Sequence, residues 1–236
     1  MLRDELRNLL ITKYIKPTYR KTEKYAGIEI EMPIVNLNKE AVDFSKIHML
    51  ILDFLKEFSF EISAKDEDGN IYAIHNKEFD DIITFDCSYN NLEIALGKSN
   101  NLTVTWDRLT KYYKYINLWL KTYNYTLTGM GINPYRKYNN NVPIPNERYR
   151  MLFHHLCTYK NYENYMLFHK RPDFGMYSSA SQVQIDVEYD DIARTINVFS
   201  KLEPIKAILF SNSVLNGEEE DLLCARDMLW ANGMQG

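Results

Sequence analysis

The sequence is poor in cysteine and has no long apolar run. Its three cysteines, Cys87, Cys157 and Cys224, are odd in number and far apart, which argues against a disulfide framework or a zinc site and for a reducing compartment. We therefore expect a cytoplasmic protein. No apolar run approaches the ~20 residues that span a bilayer, and residues 1–17 lack the apolar core and cleavage site of a signal peptide.

The sequence also lacks an excess of positive charge. Its 28 Lys and Arg residues face 32 Asp and Glu residues, for a net charge of −4, so neither a nucleic-acid partner nor a membrane partner is expected. A P-loop and a G-x-G-x-x-G motif are both missing, so those architectures would not hold a nucleotide here. With 236 residues, 45% of them hydrophobic, we expect residues 1–236 to form a single domain.

The apolar pattern changes between the strand period and the helix period along the chain. Alternating stretches predict strands near 25–36, 59–64, 71–75, 81–87, 91–97, 126–132 and 178–188. Helical spacing predicts helices near 2–15, 40–58, 103–124, from about 146, and near 190–201, 204–213 and 220–230. Several strands are joined by connections too short for a crossover helix, which favours an α+β fold with a largely antiparallel sheet.

Three of the predicted strands carry polar side chains on one face and apolar side chains on the other. These polar side chains are Glu29, Glu31, Glu93, Gln182, Gln184 and Asp186. If the three strands share one sheet, this face is a cradle for Mg²⁺ and the phosphates of a nucleotide, because hard cations prefer oxygen ligands. An antiparallel sheet with one face in water gives the same alternation without any site, so both interpretations stay open.

Two arginines stand out by their position. Arg148 follows Pro143-Ile144-Pro145-Asn146-Glu147 at the start of a predicted helix, and Arg226 lies in the stretch Cys224–Trp230. The planar guanidinium group pairs with carboxylate or phosphate through two donors. The alternative for each is an ordinary surface arginine.

Taken in order, the motifs resemble those of the glutamate–cysteine ligases, in the branch that includes the plant enzymes and many bacterial ones. The resemblance covers about residues 25–230. The matching stretches are GIEIEMP (27–33), NNLEIAL (90–96), GMGINPY (129–135), PIPNERYRML (143–152), SASQVQIDV (179–187), EPIKAILFSNSVLNG (203–217) and ARDMLW (225–230).

The resemblance implies a glutamine-synthetase-like fold, whose sheet has one polar, metal-binding face and helices packed on the other. It also implies an Mg²⁺-dependent and ATP-dependent ligase for the first step of glutathione biosynthesis. Such enzymes phosphorylate the γ-carboxylate of glutamate, and the amine of cysteine then attacks the acyl phosphate. The residues that match the metal-binding acids are Glu29, Glu31 and Glu93. Those that match a polar pair beside metal and substrate are Gln182 and Gln184, and those that match the arginines holding glutamate and the transferred phosphate are Arg148 and Arg226.

The chain departs from the family pattern at its end. Members of this family continue well past the helix that contains the second arginine, whereas this sequence stops at Gly236. The resemblance therefore implies either a fragment of a longer protein or a shortened member of the family, in which the C-terminal portion of the nucleotide site is absent from this sequence. Two alternatives stay open: a carboxylate–amine ligase that uses another amine, and a non-catalytic module that binds glutamate or a nucleotide.

Overall fold

The computed structural model describes residues 3–158, 171–215 and 222–231. This part of the chain forms an α+β fold around a mostly antiparallel, open sheet. The strands are β1 (Ala26–Asn36), β2 (Glu61–Lys65), β3 (Ile71–Asn76), β4 (Asp81–Phe85), β5 (Asn91–Ser99), β6 (Tyr125–Leu127) and β7 (Ser181–Ile185). The α-helices are α1 (Arg3–Leu10), α2 (Phe44–Glu57), α3 (Leu102–Lys121), α4 (Glu147–Thr158), α5 (Ile192–Phe210) and α6 (Ala225–Ala231).

Strand β1 is the centre of the sheet. The strand order is β2-β3-β4-β5-β1-β6, and β7 also pairs with β1. On one side β1 pairs with β5. On its other side the first half of β1 pairs with β7, and Ile34–Asn36 pair with β6. The positions of β5, β6 and β7 therefore all depend on the register of β1.

The apolar face of the sheet packs against α2 and α3. Side chains of β1, β4 and β5 such as Ile34, Phe85 and Ile94 are fully or almost fully buried there. Both helices begin at side-chain caps: Asp43 accepts a hydrogen bond from the backbone N–H of Ser45 at 3.0 Å, and Asn101 accepts one from Thr103 at 3.1 Å. Such caps satisfy N–H groups that a helix start leaves unpaired.

A buried charge network ties β4 to α3. The carboxylate of Asp81 has no exposed surface, and it accepts hydrogen bonds from Arg108 at 2.9 and 3.2 Å and from the Tyr112 hydroxyl at 2.9 Å. It also accepts one from the backbone N–H of Gly97 at 2.8 Å. A Cβ atom at Gly97 would lie 1.9 Å from the carbonyl oxygen of Phe79, so only glycine fits at this point.

A smaller apolar cluster lies beside the main core and holds α6 against the rest of the fold. Its buried members are Ile132, Leu156, Phe174, Tyr177, Leu215, Ala225 and Leu229. Ser213 connects the start of α6 to this cluster: its carbonyl accepts a hydrogen bond from the Ala225 N–H at 3.1 Å, and its hydroxyl accepts one from the Arg226 N–H at 3.2 Å. The position of Arg226 is thus set by these contacts.

The element boundaries differ from the sequence prediction in three places. Residues 190–201 and 204–213 were predicted as two helices, but Ile192–Phe210 form one helix that contains Pro204. A proline usually marks a helix boundary because it restricts the preceding residue, whereas here the helix continues through it. The predicted strand 126–132 is limited to Tyr125–Leu127, with an isolated bridge between Ile132 and Ser178.

The third difference is at the N-terminus, where the single helix predicted for 2–15 consists of α1 followed by a π-helical turn, Ile11–Ile15. The first half of the predicted helix 220–230 lies partly outside the described residues, and α6 begins at Ala225. Within the described ranges, no helix is both long enough and apolar enough to cross a membrane.

Replacing Asp81 with Ala should destabilise the fold strongly. The substitution leaves the guanidinium of Arg108, the Tyr112 hydroxyl and the Gly97 N–H without their acceptor in a buried region. Removing one member of a buried ion pair costs about 3–5 kcal/mol, and urea unfolding monitored by circular dichroism would measure it. In the control, Glu61→Ala breaks an exposed ion pair with Lys77 and should cost less than about 1 kcal/mol. Equal losses in the two variants would contradict this account of the network.

Candidate functional site

The polar face of the sheet brings together the carboxylates that the alternation predicted to share it. Glu31 on β1 lies directly opposite Glu93 on β5, and Glu29 lies opposite Gln182 on β7. Residues that face each other across an antiparallel pair project from the same side of the sheet. The sequence prediction that Glu29, Glu31 and Glu93 lie on one face is therefore confirmed as a placement, although this placement by itself assigns no ligand.

A fourth carboxylate belongs to this group and was not among the predicted site residues. Asp86 follows β4 directly, and the register of β4 places Thr84 opposite Glu93. Because alternate residues of an extended segment project to the same side, Asp86 continues the face of Thr84. Its charge acts on both Glu31 and Glu93. The alternation Ile82, Thr84, Asp86 could have revealed it, but a single acid after a strand is a weak signal.

The carboxylates change one another's acidity. Burial, followed by the neighbouring charge of Asp86, raises the pKa of Glu31 to about 7. Burial and the charges of Asp86, Glu31 and Glu29 raise the pKa of Glu93 to about 7 as well. Each shift has the same origin, because negative charges are held close together in a partly desolvated place. Such clusters favour the binding of a cation or of protons.

The start of β7 is held against this group by hydrogen bonds. The carboxylate of Glu31 accepts a hydrogen bond from the backbone N–H of Ala180 at 2.7 Å, which partly opposes the rise in its pKa. The side chain of Asn91 is buried and forms hydrogen bonds with two consecutive residues just before β7. Its amide N–H donates to the Ser178 carbonyl at 3.2 Å, and its side-chain oxygen accepts from the Ser179 hydroxyl at 2.6 Å. These contacts place Gln182 beside Glu29.

Arg226 lies next to the carboxylates. Its positive charge lowers the pKa of Glu31, against the larger effect of burial. The guanidinium carbon lies 5.6 Å from the centre of the Trp230 ring. Its Nε atom is buried and has no hydrogen-bond partner among the described residues. Arg226 therefore offers a positive, unsatisfied donor at the border of a negative surface.

Arg148 lies on the side of the carboxylate group where Asp86 is found. It is exposed on the first turn of α4, with its guanidinium carbon 5.7 Å from the centre of the Tyr149 ring. The hydroxyl of Tyr149 lies 3.4 Å from a carboxylate oxygen of Asp86. The segment before α4 is fixed to the sheet side, because the Ile144 N–H donates to the Cys87 carbonyl at 2.9 Å. The fold thus brings Arg148 towards the carboxylates from a distant part of the sequence.

The remaining polar residues differ in their surroundings. Gln182 and Gln184 are exposed on β7, and Gln184 lies opposite Gly27. Asp186 was predicted on the same face, but its carboxylate is occupied by Arg20 at 2.6 and 3.1 Å. This pairing lowers the pKa of Asp186 to about 2. No local pattern predicts this contact, since the two residues are 166 positions apart.

The carboxylates of Glu29, Glu31 and Glu93 share one face of the sheet. In the part of the chain that the structure describes, no group of three or more His, Cys, Asp or Glu side chains is arranged to hold a metal ion. What the residues do share is oxygen chemistry and unbalanced negative charge on adjacent strands.

Comparison with models of known protein families gives no match for this chain, and comparison with curated protein sequences gives none either.

The raised pKa of Glu93 predicts a pH-dependent stability difference between the wild type and Glu93→Gln. The folded protein binds a proton at Glu93 up to pH about 7, whereas the unfolded chain loses it near pH 4.5. Stability from this group therefore falls as the pH rises between those values. In the absence of divalent cations, Glu93→Gln should be near the wild type at pH 4.5 and more stable by about 1–2 kcal/mol at pH 8.

Urea unfolding at several pH values would measure this difference. Thr84→Val is a suitable control, because Thr84 lies opposite Glu93 and carries no titrating group. The stability difference between this control and the wild type should not vary with pH. A stability difference for Glu93→Gln that does not change between pH 4.5 and pH 8 would contradict the raised pKa of Glu93.

Proposed function

We propose that this protein is an ATP-dependent carboxylate–amine ligase that joins the γ-carboxylate of glutamate to the amine of cysteine. The observation that carries the proposal is the group of four carboxylates, Glu29, Glu31, Asp86 and Glu93, on one face of the sheet with Arg226 beside it. The motif resemblance to glutamate–cysteine ligases supports the same reaction. A glutamine-synthetase-like architecture, with this face turned towards the substrates, is part of the proposal.

The donor chemistry of the polar face fits Mg²⁺. The ion prefers hard oxygen ligands and commonly uses one or two protein carboxylates together with substrate phosphates. Glu29, Glu31 and Glu93 would each supply carboxylate oxygens, one or two to an ion, and the substrate phosphates would supply the other ligands. Asp86 lies close enough to influence Glu31 and Glu93. When bound, Mg²⁺ supplies positive charge that offsets the phosphates of ATP. The raised pKa values of Glu31 and Glu93 support this assignment, since a cation would replace the protons that these groups otherwise retain.

The arginines would hold the anionic parts of the substrates. Phosphoryl transfer depends mainly on positioning and on neutralising the charge of the transferred group. Arg226 suits this role because its buried Nε donor lacks a partner in the described part of the chain. Arg148 is exposed at the start of α4, where it would bind a substrate carboxylate through two donors.

Gln182 and Gln184 would complete the binding surface with neutral groups. Both are exposed on β7, and Gln182 lies opposite Glu29. An amide offers both a donor and an acceptor without adding charge. At this position it would bind a substrate or a metal-bound phosphate without increasing the repulsion among the carboxylates.

The first test is turnover by the 236-residue chain. With Mg²⁺, ATP and glutamate, we expect ADP release that depends on cysteine and the formation of γ-glutamylcysteine, detected by mass spectrometry. Arg226→Gln should lower kcat by about 100-fold or more, because removing a group that stabilises transition-state charge typically has an effect of this size. Arg194→Gln, on the exposed surface of α5, is the matched control and should turn over like the wild type.

The amine is varied in the same assay. ADP release with another amine but not with cysteine would show that this amine, and not cysteine, is the acceptor. Binding of ATP or glutamate without any turnover would contradict the catalytic proposal and favour a binding module instead. Equal activity in Arg226→Gln and Arg194→Gln would remove Arg226 from the proposed site.

A second test measures Mg²⁺ binding independently of turnover. We expect Mg²⁺ to raise the Tm of the wild type more at pH 8 than at pH 6, because protons compete for Glu31 and Glu93, whose pKa values are about 7. Glu93→Gln should lose most of this increase. Glu61→Gln, which changes an exposed carboxylate on β2, should keep it. An Mg²⁺ effect that is identical in all three proteins would contradict a metal site on this face.

A further inference from the structure

Strand β7 lies at an exposed edge of the sheet. It pairs with the first half of β1, and in the described part of the chain no strand pairs with its other side. All five of its residues are exposed. Val183 is 65% exposed and Ile185 45% exposed, although both carry β-branched apolar side chains. An edge of this kind is a template for pairing with another strand.

The register shows which backbone groups face outward. The Asp186 N–H donates to the Tyr25 carbonyl at 3.0 Å, and the Glu31 N–H donates to the Ala180 carbonyl at 3.0 Å. Even-numbered residues of this segment therefore exchange hydrogen bonds with β1, because such pairs alternate along an antiparallel ladder. The N–H and C=O groups of Ser181, Val183 and Ile185 point to the free edge, and no partner is found for them among the described residues.

The edge carries none of the usual protection against strand pairing. Monomeric proteins block their edges with charged side chains, proline or a β-bulge. The sequence of β7, Ser-Gln-Val-Gln-Ile, contains no charge and no proline, and its pairing with β1 continues without a register shift. The nearest charge on this segment, Asp186, is already paired with Arg20.

The outward-facing groups are complementary to themselves. Ser181 and Ile185 lie symmetrically on either side of Val183. In an antiparallel pair of two such strands, Val183 lies opposite Val183, and Ser181 of each copy lies opposite Ile185 of the other. Every outward N–H and C=O of these residues then finds a partner, which is the condition for a closed two-fold contact.

The side chains agree with the same arrangement. On the polar face, Gln182 of one copy would lie opposite Gln184 of the other, where two neutral side chains meet without repulsion. On the apolar face the two Val183 side chains would meet at the axis. Beyond Ile185, the side chains of Val198 and Phe199 of α5 line a groove of about 290 Å³, together with charged residues that include Asp186, Glu188 and Arg194. No residue of α5 is buried.

We infer that the protein forms a two-fold dimer in which β7 pairs with β7 of a second copy, with Val183 on the axis. A second copy is the occupant because it matches the outward backbone groups, the amides and the valine about one axis, and because the strand carries no charge that would repel its copy. The contact joins two sheets into one and leaves both carboxylate faces on the same side.

The dimer is tested first by sedimentation of the full chain over a range of concentrations. Val183→Pro removes an outward N–H without affecting the bonds to β1, and proline is tolerated at sheet edges. It should raise the dimer Kd by about tenfold or more, since two hydrogen bonds are lost per dimer. The matched control Val183→Ala keeps the N–H, and its Kd should stay within a few-fold of the wild type. Circular dichroism checks that both variants remain folded.

A crosslink locates the contact independently of that substitution. Val183→Cys, in a Cys157→Ser and Cys224→Ser background, should form an intermolecular disulfide on mild oxidation. Opposed residues of a hydrogen-bonded pair have Cα atoms about 5.5 Å apart, inside the disulfide range. Gln184→Cys in the same background lies opposite Gln182 rather than its own copy, and it should crosslink poorly.

Three outcomes would overturn the inference. One is a monomer at all concentrations up to about 100 μM, at which a dimer with a Kd of about 10 μM is mostly formed. The second is a dimer that Val183→Pro and Val183→Ala affect equally. The third is a crosslink of equal yield at residues 183 and 184.

Discussion

The alternation of side chains along β1 is the constraint on which this structure depends. The strand places Ile28, Ile30, Met32 and Ile34 towards the core, while Glu29 and Glu31 project to the opposite face. Because the side-chain period is two, a slip of one residue would bury carboxylates and expose the core residues. The register with β5 and β7 is therefore fixed by the hydrophobic effect on one face, and this in turn fixes the carboxylates on the other.

The two faces contribute to stability with opposite signs. On the apolar side, buried side chains from β1, β4 and β5 pack on α2 and α3, and the carboxylate of Asp81 is fully hydrogen-bonded to groups of α3 and β5. On the polar side, Glu31 and Glu93 have pKa values near 7 because both are partly buried and lie beside other negative charges. A protein can maintain such an unfavourable arrangement only if the rest of the fold stabilises it.

The positive groups near the carboxylates come from the first turns of two helices, α4 and α6. Arg148 is positioned by the bond between the Ile144 N–H and the Cys87 carbonyl, and by an ion pair between Arg150 and Glu67. Arg226 is positioned by Ser213 and by the small cluster around Ile132 and Leu229. Rigid strands thus carry the acids, and helix starts bring the arginines to them. This division suits a site that must hold anionic ligands next to its own carboxylates.

Much of the fold and part of the candidate site could be predicted from local patterns. Alternation predicted the seven strands and the common face of Glu29, Glu31 and Glu93, because the strand period is a property of the backbone itself. The helix boundary that was predicted before Pro204 was wrong, because α5 continues through this proline. The importance of Asp86 was also missed, because its neighbours on the face come from β1 and β5.

What the sequence by itself determined is the content of each element: which residues are apolar, which are carboxylates, and which face of its own strand each one occupies. Only the tertiary structure decided which of these residues meet. It placed Glu31 opposite Glu93, paired Asp186 with Arg20 in an ion pair, and placed Arg226 near Glu31. These contacts join residues that are far apart in the chain, and their existence depends on strand order and packing. Local sequence patterns determine neither strand order nor packing.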